Sequence, residues 1–116
     1  MVISSSSRKE KRKICGVFLF SGRPDPTWLI DDEVAERLKE IWQSLKLYSG
    51  SPPTAPILGY RGCFLKEGKE FEWFAYKGVV TFKNPQNLEF REDKERDFEK
   101  MLLASAPKDM LPPFII

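Results

Sequence analysis

The segment DDEVAERLKEIWQSLK, residues 31–46, is the part of the sequence that most restricts the possible folds. Acidic residues begin the segment, where a helix dipole favours negative charge, and Asp31 or Asp32 is placed to cap it. The apolar residues recur at helical spacing and form one stripe: Val34, Leu38, Ile41, Trp42 and Leu45. We therefore predict an amphipathic helix whose stripe is buried against a sheet.

Short apolar runs on both sides of this helix predict the strands of that sheet. The run KICGVFLF at residues 13–20 is continuous rather than alternating, which is typical of a strand buried on both faces. Further strands are predicted over residues 57–66 and 70–76, with a hairpin turn at Gly68. VVTF at residues 79–82 is either a fourth strand or the far half of the third.

A second helix is predicted over residues 92–104, EDKERDFEKMLLA, and Pro107 stops it. The final apolar residues, PPFII, are expected to pack back on the core or to add an edge strand. The resulting order, β-α-β-β-(β)-α, predicts an α+β fold. It would be a small antiparallel meander of three to five strands with two helices packed on one face.

Composition and charge divide the chain into a tail and one domain. The 116 residues are 41% hydrophobic and 31% charged, which is typical of a soluble globular protein. Residues 1–12 are rich in serine and basic side chains, so we predict a disordered basic tail followed by a single domain over 13–116. No apolar run approaches the roughly 20 residues of a membrane span, and no cleavage pattern follows the tail. We expect an intracellular protein without a signal peptide, in the cytoplasm or the nucleus.

Few residue types that support catalysis are present. The chain has no histidine, which excludes an imidazole base and the usual zinc ligand sets, so we expect no metal and no cofactor. Cys15 and Cys63 both lie in apolar runs and are predicted to be buried free thiols. A disulfide between them, or a reactive cysteine, is the alternative.

The stretch SGRPDPTW, residues 21–28, is the first candidate site. Each proline fixes its own φ and favours an extended residue before it, so Arg23 and Asp25 are predicted to be held extended. A rigid loop of this kind suits recognition, but it equally suits a connector between a strand and a helix. Trp28 distinguishes the two: exposed, it would be a contact aromatic, and buried, it would anchor the loop on the core.

The stretch LGYRG, residues 58–62, is the second candidate. Its two glycines indicate a bulge or a close backbone approach. If Tyr60 and Arg61 share a surface with Arg23, the three would form an arginine and aromatic patch for an acidic or planar ligand.

Two other stretches, VFLFSG and RGCFL, loosely resemble the aromatic strands of the RNA-recognition motif. The likeness is poor, because RGCFL falls on the wrong strand, Cys63 stands at the central aromatic position, and the chain without its tail is net acidic. The sequence therefore does not place the protein in that family.

The function predicted from these features is a non-enzymatic binding or protein-interaction module. Its candidate site is the proline-rich loop with Arg23, Asp25 and Trp28, joined by Tyr60 and Arg61, and its expected partner is a protein or a small acidic ligand. One alternative is a nucleic-acid-binding protein that uses the basic tail. Another is a small enzyme acting through Asp25 and Arg23 or through a reactive cysteine.

Overall fold

A computed structural model of the chain describes residues 12–20, 25–54 and 59–112. The predicted tail, apart from Arg12, and the last four residues lie outside these ranges. Within them, neither helix combines the length and the apolar character needed to cross a bilayer.

The described chain forms one antiparallel sheet of seven strands with two helices. The spatial order of the strands is β2-β1-β4-β5-β6-β7-β3. Their bounds are β1 Lys13–Phe20, β2 Thr27–Leu29, β3 Lys46–Leu47, β4 Gly59–Glu67, β5 Phe71–Tyr76, β6 Val79–Lys83 and β7 Leu88–Glu92.

Helix α1 spans Asp32–Ser44 and helix α2 spans Asp97–Ala104. The predicted cap of α1 is confirmed at Asp31, whose carboxylate accepts a hydrogen bond from the Val34 N–H at 3.0 Å. Helix α2 is capped by Asp93, which lies four residues before the first residue of the helix. Both carboxylate oxygens of Asp93 accept hydrogen bonds at 3.2 Å, one from Phe98 N–H and one from Glu99 N–H.

The predicted meander of three to five strands is wrong, because the sheet has seven strands, although the α+β class is retained. Strands β2 and β3 contain three and two residues, too few for a hydrophobic pattern to be recognised. Strand β7 was missed because its Leu and Phe alternate with charged residues immediately before a charged turn. The second helix consequently begins at Asp97, five residues later than predicted.

Both helices pack on the same face of the sheet, as predicted. The core combines helix residues such as Leu38, Trp42 and Phe98 with the strand residues that face them. Those strand residues alternate along β1, β4, β5 and β6: Cys15, Val17, Cys63, Leu65, Trp73, Ala75 and Val80. The opposite face carries neither described helix, and we call it the open face.

Candidate binding surface

Asp25 and Pro26, at the described end of the proline-rich loop, lie back against β1. The carboxylate of Asp25 accepts a hydrogen bond from Leu19 N–H at 2.7 Å, and the Pro26 carbonyl accepts one from Val17 N–H at 3.2 Å. The chain then forms β2, which pairs with β1. Asp25 is thus tied to the strand that precedes it. Arg23 lies outside the described residues.

Trp28 is part of the core, with 6% of its surface exposed. Its indole N–H donates to Ser105 Oγ at 2.9 Å, and that hydroxyl donates in turn to the Leu102 carbonyl at 2.6 Å. Trp28 therefore fastens the edge strand β2 to the end of α2. Neighbouring Cys15 is fully buried, and this burial raises the pKa of its thiol to about 12.

Tyr60 also turns toward the helices and away from the open face. Its hydroxyl donates a hydrogen bond to Glu99 Oε2, and the other oxygen of that carboxylate lies 3.4 Å from Arg96 Nε. Burial, with the neighbouring Cys63 and Glu99, raises the pKa of Tyr60 far above its ordinary value. Burial likewise raises the pKa of Cys63, so both cysteines are free thiols with little thiolate character.

Arg61 occupies a β-bulge between β4 and β1. The register pairs Val17 with Cys63 and Leu19 with Tyr60, so Phe18 alone is opposed by two residues, Arg61 and Gly62. Arg61 is half-buried, and its Nε is buried without a hydrogen-bond partner. Of the predicted patch, Asp25 and Arg61 therefore lie near the same end of β1, whereas Trp28 and Tyr60 are used inside the fold.

Phenylalanines form the centre of the open face. One register row crosses six strands through successive partners: Thr27, Gly16, Phe64, Phe74, Thr81 and Phe90. Phe18 adds a fourth ring, with its centroid 5.0 Å from that of Phe64 and 5.8 Å from that of Phe74. We call Phe18, Phe64, Phe74 and Phe90 the open-face phenylalanines.

Two of these rings lie across neighbouring strands because the strands carry glycine there. A Cβ on Gly16 would be 2.4 Å from Phe64 Cζ, and one on Gly62 would be 2.5 Å from Phe74 Cζ. One face of each ring therefore packs against glycine backbone that carries no side chain. Any other residue at either glycine would push the ring off the sheet.

Lysines flank the phenylalanines in the next register row. This row contains Leu29, Ile14, Lys66, Glu72, Lys83 and Leu88. The Lys66 ammonium lies 5.1 Å from the centroid of the Phe64 ring, a cation–π contact. The two leucines at the ends of the row are 65% and 59% exposed, so this row has apolar ends and a charged middle of two lysines and one glutamate.

The sequence reasoning missed the open face and the buried carboxylates of Asp93 and Glu99. The signal for the open face was present, because residues of β1 and β5 are apolar on both alternating sets. The signal for Glu99 was absent, since its partner Tyr60 lies 39 residues away. Asp93 was missed for another reason: it fell inside the predicted helix, although it binds backbone N–H groups five and six residues ahead of it.

In the described ranges, no group of three or more cysteine or acidic side chains is arranged to hold a metal ion. Comparison with known proteins finds no family model, no curated protein and no solved structure that matches this chain.

Proposed function

We propose that the protein is a non-enzymatic binding module whose contact surface is the open face of its sheet. The observation that carries the proposal is the layer of phenylalanine rings that rests on glycine backbone with no described helix above it. Phe64 is buried, but Phe18, Phe74 and Phe90 are half-buried and keep part of their apolar surface exposed. A ring that neighbouring backbone holds in place presents such surface at little conformational cost. The ligand class that fits is one with planar apolar groups.

The proline-rich loop has a supporting role in this proposal. Asp25 and Pro26 hold the backbone of Val17 and Leu19, the two residues on either side of Phe18. The bulge places Arg61 opposite the same phenylalanine. The stiffness predicted from the two prolines would thus fix one end of the contact surface rather than form the surface itself.

The polar groups inside the fold support binding over catalysis. Glu99, Tyr60 and Asp93 are engaged with one another or with the start of α2, and Trp28 is engaged with Ser105. These contacts hold the helix layer to the sheet. A reactive cysteine is disfavoured because burial raises the pKa of both thiols.

The test is amide NMR mapping with a panel of planar aromatic fragments, such as indole and purine nucleosides. We expect the fragments to shift amides of the open-face row, including Gly16, Phe74 and Thr81, more than amides of α1. Thr81→Glu places a carboxylate in the middle of the row and should abolish the shifts. Gln43→Glu makes the same charge change on an exposed position of α1 and should leave them intact.

Fragments that bind between the helices, or that shift no residue of the open face, would overturn the proposal. The cleft between the helices is the competing position, with a volume of about 490 Å³ and a lining of Arg37, Glu40, Ile41, Ser44 and Met101.

A further inference from the structure

We infer that the ligand of the open face is single-stranded nucleic acid, an inference that rests on the proposed function. Unpaired bases are planar groups on a flexible anionic chain. A protein that binds them without sequence preference needs aromatic rings on which bases stack and cations that neutralise phosphates. The open face contains both.

The spacing of the rings suits a strand of nucleotides that runs across the β-strands. Phe64 and Phe74 lie on adjacent strands, and Phe90 lies two strands beyond Phe74 in the same row. With neighbouring strands roughly 5 Å apart, the three rings are spread over roughly 15 Å. Phe64 itself is only 5% exposed and its ring is in contact with Lys66, so the rings of this row that are open to a base are the half-buried Phe74 and Phe90, roughly 10 Å apart.

Cations are placed where the phosphates of such a strand would pass. Lys66 and Lys83 lie in the row beside the phenylalanines, with Glu72 between them. Arg61 adds a guanidinium at the bulge whose buried Nε lacks a hydrogen-bond partner. Because Arg61 is half-buried and opposite Phe18, the part of its guanidinium that remains accessible would be the group that meets a phosphate.

The excess of acidic over basic residues in the domain lies in the two helices and not in the sheet. Residues 31–44, the first helix with its cap, contain five acidic and two basic residues, and residues 97–104 contain two acids and one lysine. The helices thus account for more than the whole acidic excess of the folded chain, and the remainder of the domain is net basic. Arg12, the first described residue, accepts a hydrogen bond at its carbonyl from Gly68 N–H and so lies beside the turn that follows Lys66 and Glu67.

Self-association through the open face is less favourable on the same observations. Two copies packed face to face would bury the Lys66–Glu72–Lys83 row of each, and desolvating those charges costs more than imperfect pairing returns. A bound polyanion would instead pair its phosphates with the lysines and leave the lysines partly hydrated.

The experiment measures binding of fluorescent oligonucleotides of about ten nucleotides to the full chain by anisotropy, beside a duplex of the same sequence. Phe74→Leu removes the ring but keeps an apolar side chain, and Phe74→Tyr keeps the ring. We expect Phe74→Leu to weaken single-strand binding by at least about fivefold, the lower end of the effect of one base–aromatic stack, and Phe74→Tyr to preserve it. The duplex should bind more weakly than the single strand.

Thr81→Glu and Gln43→Glu provide a second pair in case Phe74→Leu does not fold. The first should weaken binding far more than the second, although both change the net charge equally. Lys83→Gln should reduce the salt slope of binding by about 0.7, the value for one phosphate contact on a single strand. Deletion of residues 1–11 should lower affinity while leaving the Phe74→Leu effect unchanged.

Equal effects of Thr81→Glu and Gln43→Glu, or binding lost entirely with the tail, would overturn the inference. Planar fragments that map to the open face without any oligonucleotide binding would refute the nucleic-acid inference and leave the proposed function standing. No ligand at that face would refute both. Concentration-dependent dimers that Thr81→Glu dissociates would identify a second copy as the occupant instead.

Discussion

Three glycine-to-alanine substitutions separate the two physical reasons for glycine in this sheet. Gly59 has φ +87° with no described atom within 4 Å of an added Cβ, so alanine there meets only backbone strain. Gly16 has ordinary backbone but lies under Phe64, so alanine there meets only a steric clash. Gly62 combines φ +110° with a Cβ position 2.5 Å from Phe74 Cζ and 2.9 Å from the Ala75 carbonyl oxygen.

The expected costs follow from these contacts. Strain at a positive φ costs a non-glycine residue about 1–3 kcal/mol. Overpacking of the ring and carbonyl costs about 1–3 kcal/mol more. Gly62→Ala should therefore lower the free energy of unfolding by about 2–6 kcal/mol, a large part of the roughly 5–15 kcal/mol available to a domain. Gly59→Ala and Gly16→Ala should each cost about half as much.

The assay is urea denaturation of the three variants followed by tryptophan fluorescence, with thermal melts in parallel. A double variant, Gly62→Ala with Phe74→Ala, tests the clash directly. Removal of the ring should recover part of the loss at Gly62, so the two substitutions together should cost less than the sum of their separate effects. A Gly62→Ala protein within about 0.5 kcal/mol of the wild type would refute both the bulge and the ring position.

Further predictions concern the helix layer. Trp42→Ala should lower the free energy of unfolding by about 3–5 kcal/mol in the same assay, because Trp42 is 7% exposed. Its ring packs under Arg91, whose guanidinium lies 4.4 Å from the ring centroid. A loss below about 1 kcal/mol would contradict the burial of Trp42. Cys15 and Cys63 should react slowly with a thiol reagent until denaturant is added, and rapid labelling of either in the native protein would argue against their burial. Burial raises the pKa of Asp93 above its ordinary value of 3.8, so between these two pKa values the folded protein keeps a proton that the unfolded chain has lost. The wild type should therefore lose stability relative to Asp93→Asn as the pH rises from 3.8 toward the folded pKa. Denaturation of both proteins across that range checks the sign, and a difference that changes in the opposite direction would refute it.

The elements that the sequence predicts well are those whose pattern is long and local. The stripe of α1 extends over three turns, and the Asp31 cap is read within four residues, so both could be placed. The run at residues 13–20 coincides with β1. By contrast, β2 and β3 exist because neighbouring strands offer free edges, which is a property of the folded sheet and not of two or three residues.

The candidate site was harder to predict, because contacts between segments that are distant in sequence decide which face of the sheet each residue occupies. Trp28 and Tyr60 carry the aromatic rings and polar groups typical of a recognition site. Their partners, Ser105 and Glu99, lie 77 and 39 residues away, and those partners draw both side chains to the helix side of the sheet. No local pattern could have shown this. The β-bulge at Arg61 was foreseeable only as far as two glycines in a strand indicate one.

The continuous apolar run in β1 predicted a strand buried on both faces, but the described helices cover only one of those faces. Its alternate residues are indeed apolar on both faces, with Cys15 and Val17 fully buried under the helices. On the other face, however, Phe18 meets Phe64 and Phe74, not a second helix layer. The glycines allow these rings to pack flat against the sheet, so the rings cover its second face. A sheet that is apolar on both sides can therefore remain two-layered. Phe18, Phe74 and Phe90 stay partly exposed on this face and lysines border them, which is the physical basis for proposing this face, and not the proline-rich loop, as the contact surface.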